Sequence, residues 1–163
     1  MNTLKNSLFV ITLIAFSGCA TRAKLVLNQS VGPGRYHANR RRGVAPGELE
    51  VFSALEVINA VDSDHPTHTN YTIDDQGGKT LRRVDNRTGS FYQDPVVVSL
   101  PAGAYKVEAR ATNTGEVIVP VVIEAGKCTV IYLDGSNPPQ SKAQPGDQWV
   151  RLPGGQIIGE KAN

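Results

Sequence analysis

Sulfur, tryptophan and long apolar runs are scarce in this 163-residue chain, which holds two cysteines, one methionine and one tryptophan, with aromatic residues at only 6%. Two cysteines cannot build a disulfide framework. Cys19 follows a short leader and Cys128 lies within an apolar run, so no pairing between them is expected. The longest apolar run, Leu8 to Phe16, is nine residues, well short of the ~20 that cross a bilayer as a helix. Gly-x-Ser-x-Gly is absent, as are a glycine-rich phosphate loop and a dinucleotide fingerprint, so hydrolase and nucleotide-binding signatures are missing. The three histidines, His37, His65 and His68, all fall in stretches that read as irregular.

What is present is turn-forming residue and short apolar segments. Sixteen glycines, ten prolines and a hydrophobic content of 40% suit many short strands around one core, with no long helices. Charge is divided unevenly. Arg22, Lys24, Arg35, Arg40, Arg41 and Arg42 stand in a stretch without an acidic residue, whereas from Glu48 onward ten basic side chains face fifteen acidic ones. A basic leader thus precedes an acidic body.

The first residues have the layout of an export signal: Lys5, the apolar run, then the small residues Ser17 and Gly18. Phe16-Ser17-Gly18-Cys19 resembles the lipobox of bacterial lipoproteins, with Phe16 where leucine is usual. That resemblance implies that residues 1–18 are a signal peptide and that Cys19 becomes the acylated, palmitate-type anchor. Ala20 in second place resembles lipoproteins directed to the outer membrane, which implies a cell-envelope location facing the periplasm. The alternative is an ordinary secretory signal cut near Ala20, with Cys19 discarded.

Residues 19–47, with Gly32-Pro33-Gly34, the Arg40-Arg41-Arg42 run and Pro46-Gly47, read as a flexible basic tether. Its cations would either lie against anionic headgroups or rest on the acidic domain. Residues 48–134 read as an antiparallel β-sandwich of about seven strands. These are Leu49 to Ile58, Asn70 to Ile73, Thr80 to Val84, Val96 to Leu100, Tyr105 to Ala111, Val117 to Glu124 and Cys128 to Leu133. Asp74 to Gly78 and Asn113-Thr114-Gly115 supply hairpin turns, because glycine, asparagine and aspartate tolerate positive φ. Pro120 cannot donate to a ladder, so its strand is expected at an edge or at a bulge.

Leu100-Pro101-Ala102-Gly103-Ala104-Tyr105-Lys106-Val107, followed by Gly115-Glu116-Val117 and Glu124-Ala125-Gly126-Lys127-Cys128-Thr129-Val130, resembles the carboxypeptidase-regulatory-like and PEGA-type β-sandwich modules. The resemblance implies an Ig-like or prealbumin-like sandwich whose last strands close as a hairpin, a fold used mostly as a noncatalytic spacer or binding module. Residues 135–163 read as a polar, proline-rich linker and a carboxy-terminal hairpin, Trp149 to Pro153 and Gln156 to Gly159, packing on the domain.

Few residues carry chemistry. Asp62 to His68 gathers metal-ligand types, but Pro66 between His65 and His68 argues for a loop and no third ligand has a recognised spacing, so no metal site is assigned. Cys128 in an alternating strand reads as a buried thiol rather than a nucleophile. The chain is therefore expected to be noncatalytic and without a cofactor, a lipid-anchored structural or interaction module of the envelope. Its expected partners are membrane lipid through Cys19 and either an envelope protein or a cell-wall glycan, with nucleic acid excluded by export. The alternative function is a carbohydrate- or peptidoglycan-binding module presenting Trp149, Tyr92 and Phe91.

Overall fold

A computed structural model describes residues 23–34, 46–60, 63–86, 94–139 and 148–162, with the backbone alone for 58–60 and 63–65. These residues are all β, in twelve strands with no α-helix. The first six are β1 (Leu25–Val26), β2 (Gly47–Phe52), β3 (Leu55–Ala60), β4 (Ser63–His68), β5 (Tyr71–Asp74) and β6 (Thr80–Val84). The rest are β7 (Val98–Leu100), β8 (Gly103–Ala111), β9 (Gly115–Ile123), β10 (Cys128–Tyr132), β11 (Trp149–Arg151) and β12 (Ile157–Glu160). They form a five-stranded sheet β1-β9-β8-β5-β6, a three-stranded sheet β10-β2-β7, and two hairpins, β3-β4 and β11-β12.

The two larger sheets share one core. From the first come Tyr71, Ile73, Val84, Val107, Ala109, Ala111, Val117, Val119, Val121 and Ile123; from the second come Leu49, Val51, Val98, Leu100 and Ile131. The strict alternation of β8 and β9 produces this, because side chains two apart share a face and only one face of that sheet turns inward. Within β10, Thr129 and Ile131 face the core side, while Cys128, Val130 and Tyr132 form a smaller apolar cluster with Phe52 on the other face.

Several expectations need correction. Leu49 to Ile58 is two strands, broken at Ser53-Ala54: there the chain leaves the three-stranded sheet and the Ala54 amide donates to the Arg110 carbonyl of the other, 2.8 Å away. The sheets are not purely antiparallel, since β1 runs parallel to β9 and β2 parallel to β10. The turn at Ala125 to Lys127 does not close a hairpin; β9 and β10 belong to different sheets, so it is a crossover. Residues 63–68 are a strand rather than a loop, and Pro66 is tolerated opposite Val57 because a two-stranded sheet leaves each strand one unpaired side.

The largest correction concerns the tether. Leu25 and Val26 pair with Val117 and Ile118, and the Leu27 amide donates to the Ile118 carbonyl at 3.0 Å. The Val31 amide donates to Pro120 O at 2.9 Å and the Val31 carbonyl accepts from Val122 at 2.8 Å. Leu27 and Val31 are buried, and Val31 has no exposed surface. This segment then bridges to the carboxy terminus: Gly32 donates to the Glu160 carbonyl, Ala162 to that of Ser30, and Pro33 meets Thr129 of β10. β12 closes the same side, with Gly159 against the Val31 side chain and the Val130 carbonyl and with Gln156 Nε2 donating to Tyr132 O at 3.1 Å. One flank of the two-sheet body is thereby sealed by residues 25–33 together with the carboxy-terminal hairpin.

Candidate functional site: the cleft beside Trp149

The cleft begins with a proline. Pro120 O accepts from Val31, which lies on the β1 side of β9, and in a strand the N–H and C=O of one residue point the same way. The position where an amide hydrogen should meet the β1 segment is therefore filled by a ring nitrogen that has none. The ladder lapses there: it holds at Leu27, leaves β9 through Asn28, Gln29 and Ser30, and resumes at Val31. The excursion forms one wall of an open cleft of about 460 Å³, lined by Leu27, Asn28, Gln29, Trp149, Val150, Arg151 and Lys161.

The opposite wall is the β11-β12 hairpin, whose register sets Trp149 against Glu160 and whose Gln148 carbonyl accepts from the Lys161 amide at 2.8 Å. Leu27 and Val150 supply buried apolar surface, Asn28 and Gln29 are exposed amides, and Arg151 and Lys161 bring two cations. Arg151 is steadied by a 3.0 Å hydrogen bond from Nη1 to the Gly155 carbonyl. Trp149 is only 3% exposed, so it does not present a ring face for stacking. Its indole Nε1–H and the neighbouring Gln148 Oε1 are buried without a hydrogen-bond partner, which costs about 1–3 kcal/mol for each such group. Among the described residues, the lining contains amides and cations but no carboxylate, imidazole or thiol. The cleft thus sets two cations beside two exposed amides.

Among the described residues, Ser53 and His68 lie elsewhere and are tied into structure. His68, 3% exposed, has Nδ1 2.6 Å from the Ser53 carbonyl; a carbonyl only accepts, so Nδ1 carries the proton. The Ser53 hydroxyl, fully buried, donates to Thr69 O at 2.6 Å and lies 3.3 Å from Asn86 Nδ2. Asn86 completes the cluster, donating from Nδ2 to Val51 O at 3.1 Å and accepting from Val96 N at 3.0 Å. This network secures the Ser53-Ala54 corner, where the chain changes sheets. Beside it, the His68 ring stands edge-on to Phe52 at 5.6 Å, and Phe52 stacks on Tyr132 at 5.1 Å. Burial raises the Tyr132 hydroxyl to about 12, with Glu50 adding to the shift.

Among the sequence-derived candidates, Trp149 is placed at the cleft but inward, while Cys19, Phe91 and Tyr92 lie outside the described residues. His65 and His68 share an extended strand, which lacks the helical spacing that lets histidines three apart share a metal. Among the described residues, no group of three or more histidine, cysteine, aspartate or glutamate side chains gathers as a metal site. Cys128 is buried. Sequence reasoning missed Asn28, Gln29, Arg151 and Lys161, which come together only through pairings distant along the chain. No protein family, curated protein or solved structure matches this chain.

Proposed function

We propose that the chain is a lipid-anchored, noncatalytic β-sandwich of the bacterial envelope, held at the outer membrane through Cys19 and acting as an interaction module. The sandwich reading is supported by two sheets enclosing one core, and a carboxypeptidase-regulatory-like or PEGA-type relationship rests on the Leu100 to Val107 segment. The observation that carries the noncatalytic reading is the commitment of Ser53 and His68 to buried hydrogen bonds, together with a cleft lining that, among the described residues, has cations and amides but no acid-base pair. Anchoring through two or three acyl chains is durable, whereas one chain binds only marginally.

Mass spectrometry of the membrane-extracted chain tests the anchor: the expected product begins at acylated Cys19. A Cys19→Ser chain should leave the membrane fraction in a salt wash, and equal retention of it would contradict the reading. A second reading, binding of a cell-wall glycan, is favoured by the cleft itself. Asn28 and Gln29 suit hydroxyl and amide groups, and Arg151 and Lys161 suit carboxylates. Retention on purified cell wall should then fall in an Arg151→Glu, Lys161→Glu chain and persist in wild type; no retention of the wild type would remove this reading.

A further inference from the structure

We propose that the β3-β4 hairpin rests on the phospholipid surface to which the chain is anchored, through Leu55 and Val57. This rests on acylation at Cys19, and goes beyond it by fixing which end of the domain meets the bilayer.

The ladder takes hold at Leu25, opposite Val117, so six residue steps separate it from Cys19. At ~3.3–3.6 Å per residue fully extended, the leash spans at most about 22 Å. A 29-residue tether would have let the domain float far from the membrane in any orientation; six steps hold the Leu25 end beside the headgroups.

Leu25 lies at the start of β9, next to the turn that joins β8 to β9. β2 and β10 both finish there, with Leu133 N donating to Phe52 O and Thr112 N to Leu133 O at 2.8 Å. The β3-β4 hairpin springs from the same place: Ala54 donates to Arg110 O, Thr69 to Ala54 O, and Arg110 Nη1 pairs with Glu56 Oε1 at 3.0 Å. Beyond this base, among the described residues, β3 and β4 hydrogen-bond in register only with each other.

Leu55 is 46% and Val57 61% exposed, and as alternate residues of one strand they share a face, opposite the face from which Glu56 reaches Arg110. Val26, on β1 at the same end, is 56% exposed. A two-stranded hairpin is marginal in water. One that displays a β-branched and a leucine side chain within reach of a lipid surface has a covering surface supplied by the anchor itself.

The test uses the acylated, full mature chain in vesicles of phosphatidylethanolamine and phosphatidylglycerol, with the fluorophore NBD on Val57→Cys and, separately, on Leu55→Cys. Native Cys128 is buried and serves as no competing label site. Ala102→Cys is the control, exposed and adjoining Gly103, whose partner Ile123 ends β9 at the far side of the domain. Expected are blue-shifted emission at 55 and 57 that doxyl-labelled lipid quenches, and water-like, unquenched emission at 102. Water-like emission at all three sites in a chain shown by mass to be acylated overturns the proposal and leaves the anchor standing. Blue-shifted emission at 57 that lipid quencher does not touch overturns it in favour of self-association. A chain that carries no acyl group overturns both.

Discussion

Gly159 and Val31 belong to segments 128 residues apart, and the fold requires them to touch. A methyl group added at Gly159 would lie 2.5 Å from Val31 Cγ1 and 3.0 Å from the Val130 carbonyl oxygen. Gly159 is not among the glycines with positive φ, so alanine meets no backbone strain there and the obstacle is steric alone. Overpacking of this kind costs about 1–3 kcal/mol. Val31→Ala removes two fully buried methyl groups, about 0.8 kcal/mol each in transfer terms plus the cavity left behind, for a loss of about 2–3 kcal/mol. In the double variant the clash with Cγ1 is gone and the new methyl occupies part of the vacated space, leaving only the approach to Val130 O. The double variant should therefore be more stable than the sum of the single losses by about 1–2 kcal/mol. Urea denaturation followed by Trp149 fluorescence measures all four corners of the cycle. Losses that add within about 0.3–0.5 kcal/mol would refute the contact, and with it the sealing of that flank.

Asn86→Ala should cost about 2–4 kcal/mol in denaturant titration, since it strands the Val51 carbonyl and the Val96 amide at the corner where the chain changes sheets. Tyr71→Phe should have the opposite sign, a gain of about 1–3 kcal/mol, because the buried Tyr71 hydroxyl has no partner to lose. Alkaline pH should destabilise the domain. Burial raises Tyr132 to about 12 from 10 and also raises Tyr71, where nearby Arg82 offsets only part of the effect. Between those values the unfolded chain releases protons that the native chain keeps, so stability present below pH 10 is lost as pH rises towards 12. The denaturation midpoint should fall over that range, and less steeply in Tyr132→Phe; a midpoint indifferent to pH would contradict the burial.

The local grammar of the fold was legible. Thr80 to Val84 is a strand as read, and the Asp74 to Gly78 turn joins it antiparallel to β5. Asn113 at φ 63° and Gly115 at φ 91° occupy the left-handed region for which their residue types are suited. Val107, Ala109 and Ala111 are buried on alternate positions, as the period-two pattern requires. Long-range pairing was not legible, because main-chain hydrogen bonds do not depend on which side chains flank them. Nothing in Leu49 to Phe52 says that its parallel partner is Thr129 to Tyr132. The Ser53-Ala54 break hides inside a continuous apolar run, its signal being a small buried hydroxyl that the Asn86 amide and the Thr69 carbonyl hold. Gly32-Pro33-Gly34 has the composition of a linker, yet one fully buried valine beside it pins the segment to two sheets. The cleft shared this fate. The hairpin that carries Trp149 was read as packing on the domain, with a presented ring as the alternative, and the indole is buried; Arg151, Lys161, Asn28 and Gln29 gather only once the register of three distant segments is set.

The proposed short anchoring and the proposed orientation both depend on residues 25–33 being part of the folded body. Hydrogen exchange of the full chain tests this most directly, at the amides of Leu27, Val31 and Gly32, which donate to Ile118, Pro120 and Glu160 at 2.9–3.0 Å. These three amides should be protected to the same order as those of β8 and β9. Exchange at them as fast as in an unstructured peptide, with β8 and β9 still protected, would contradict the account.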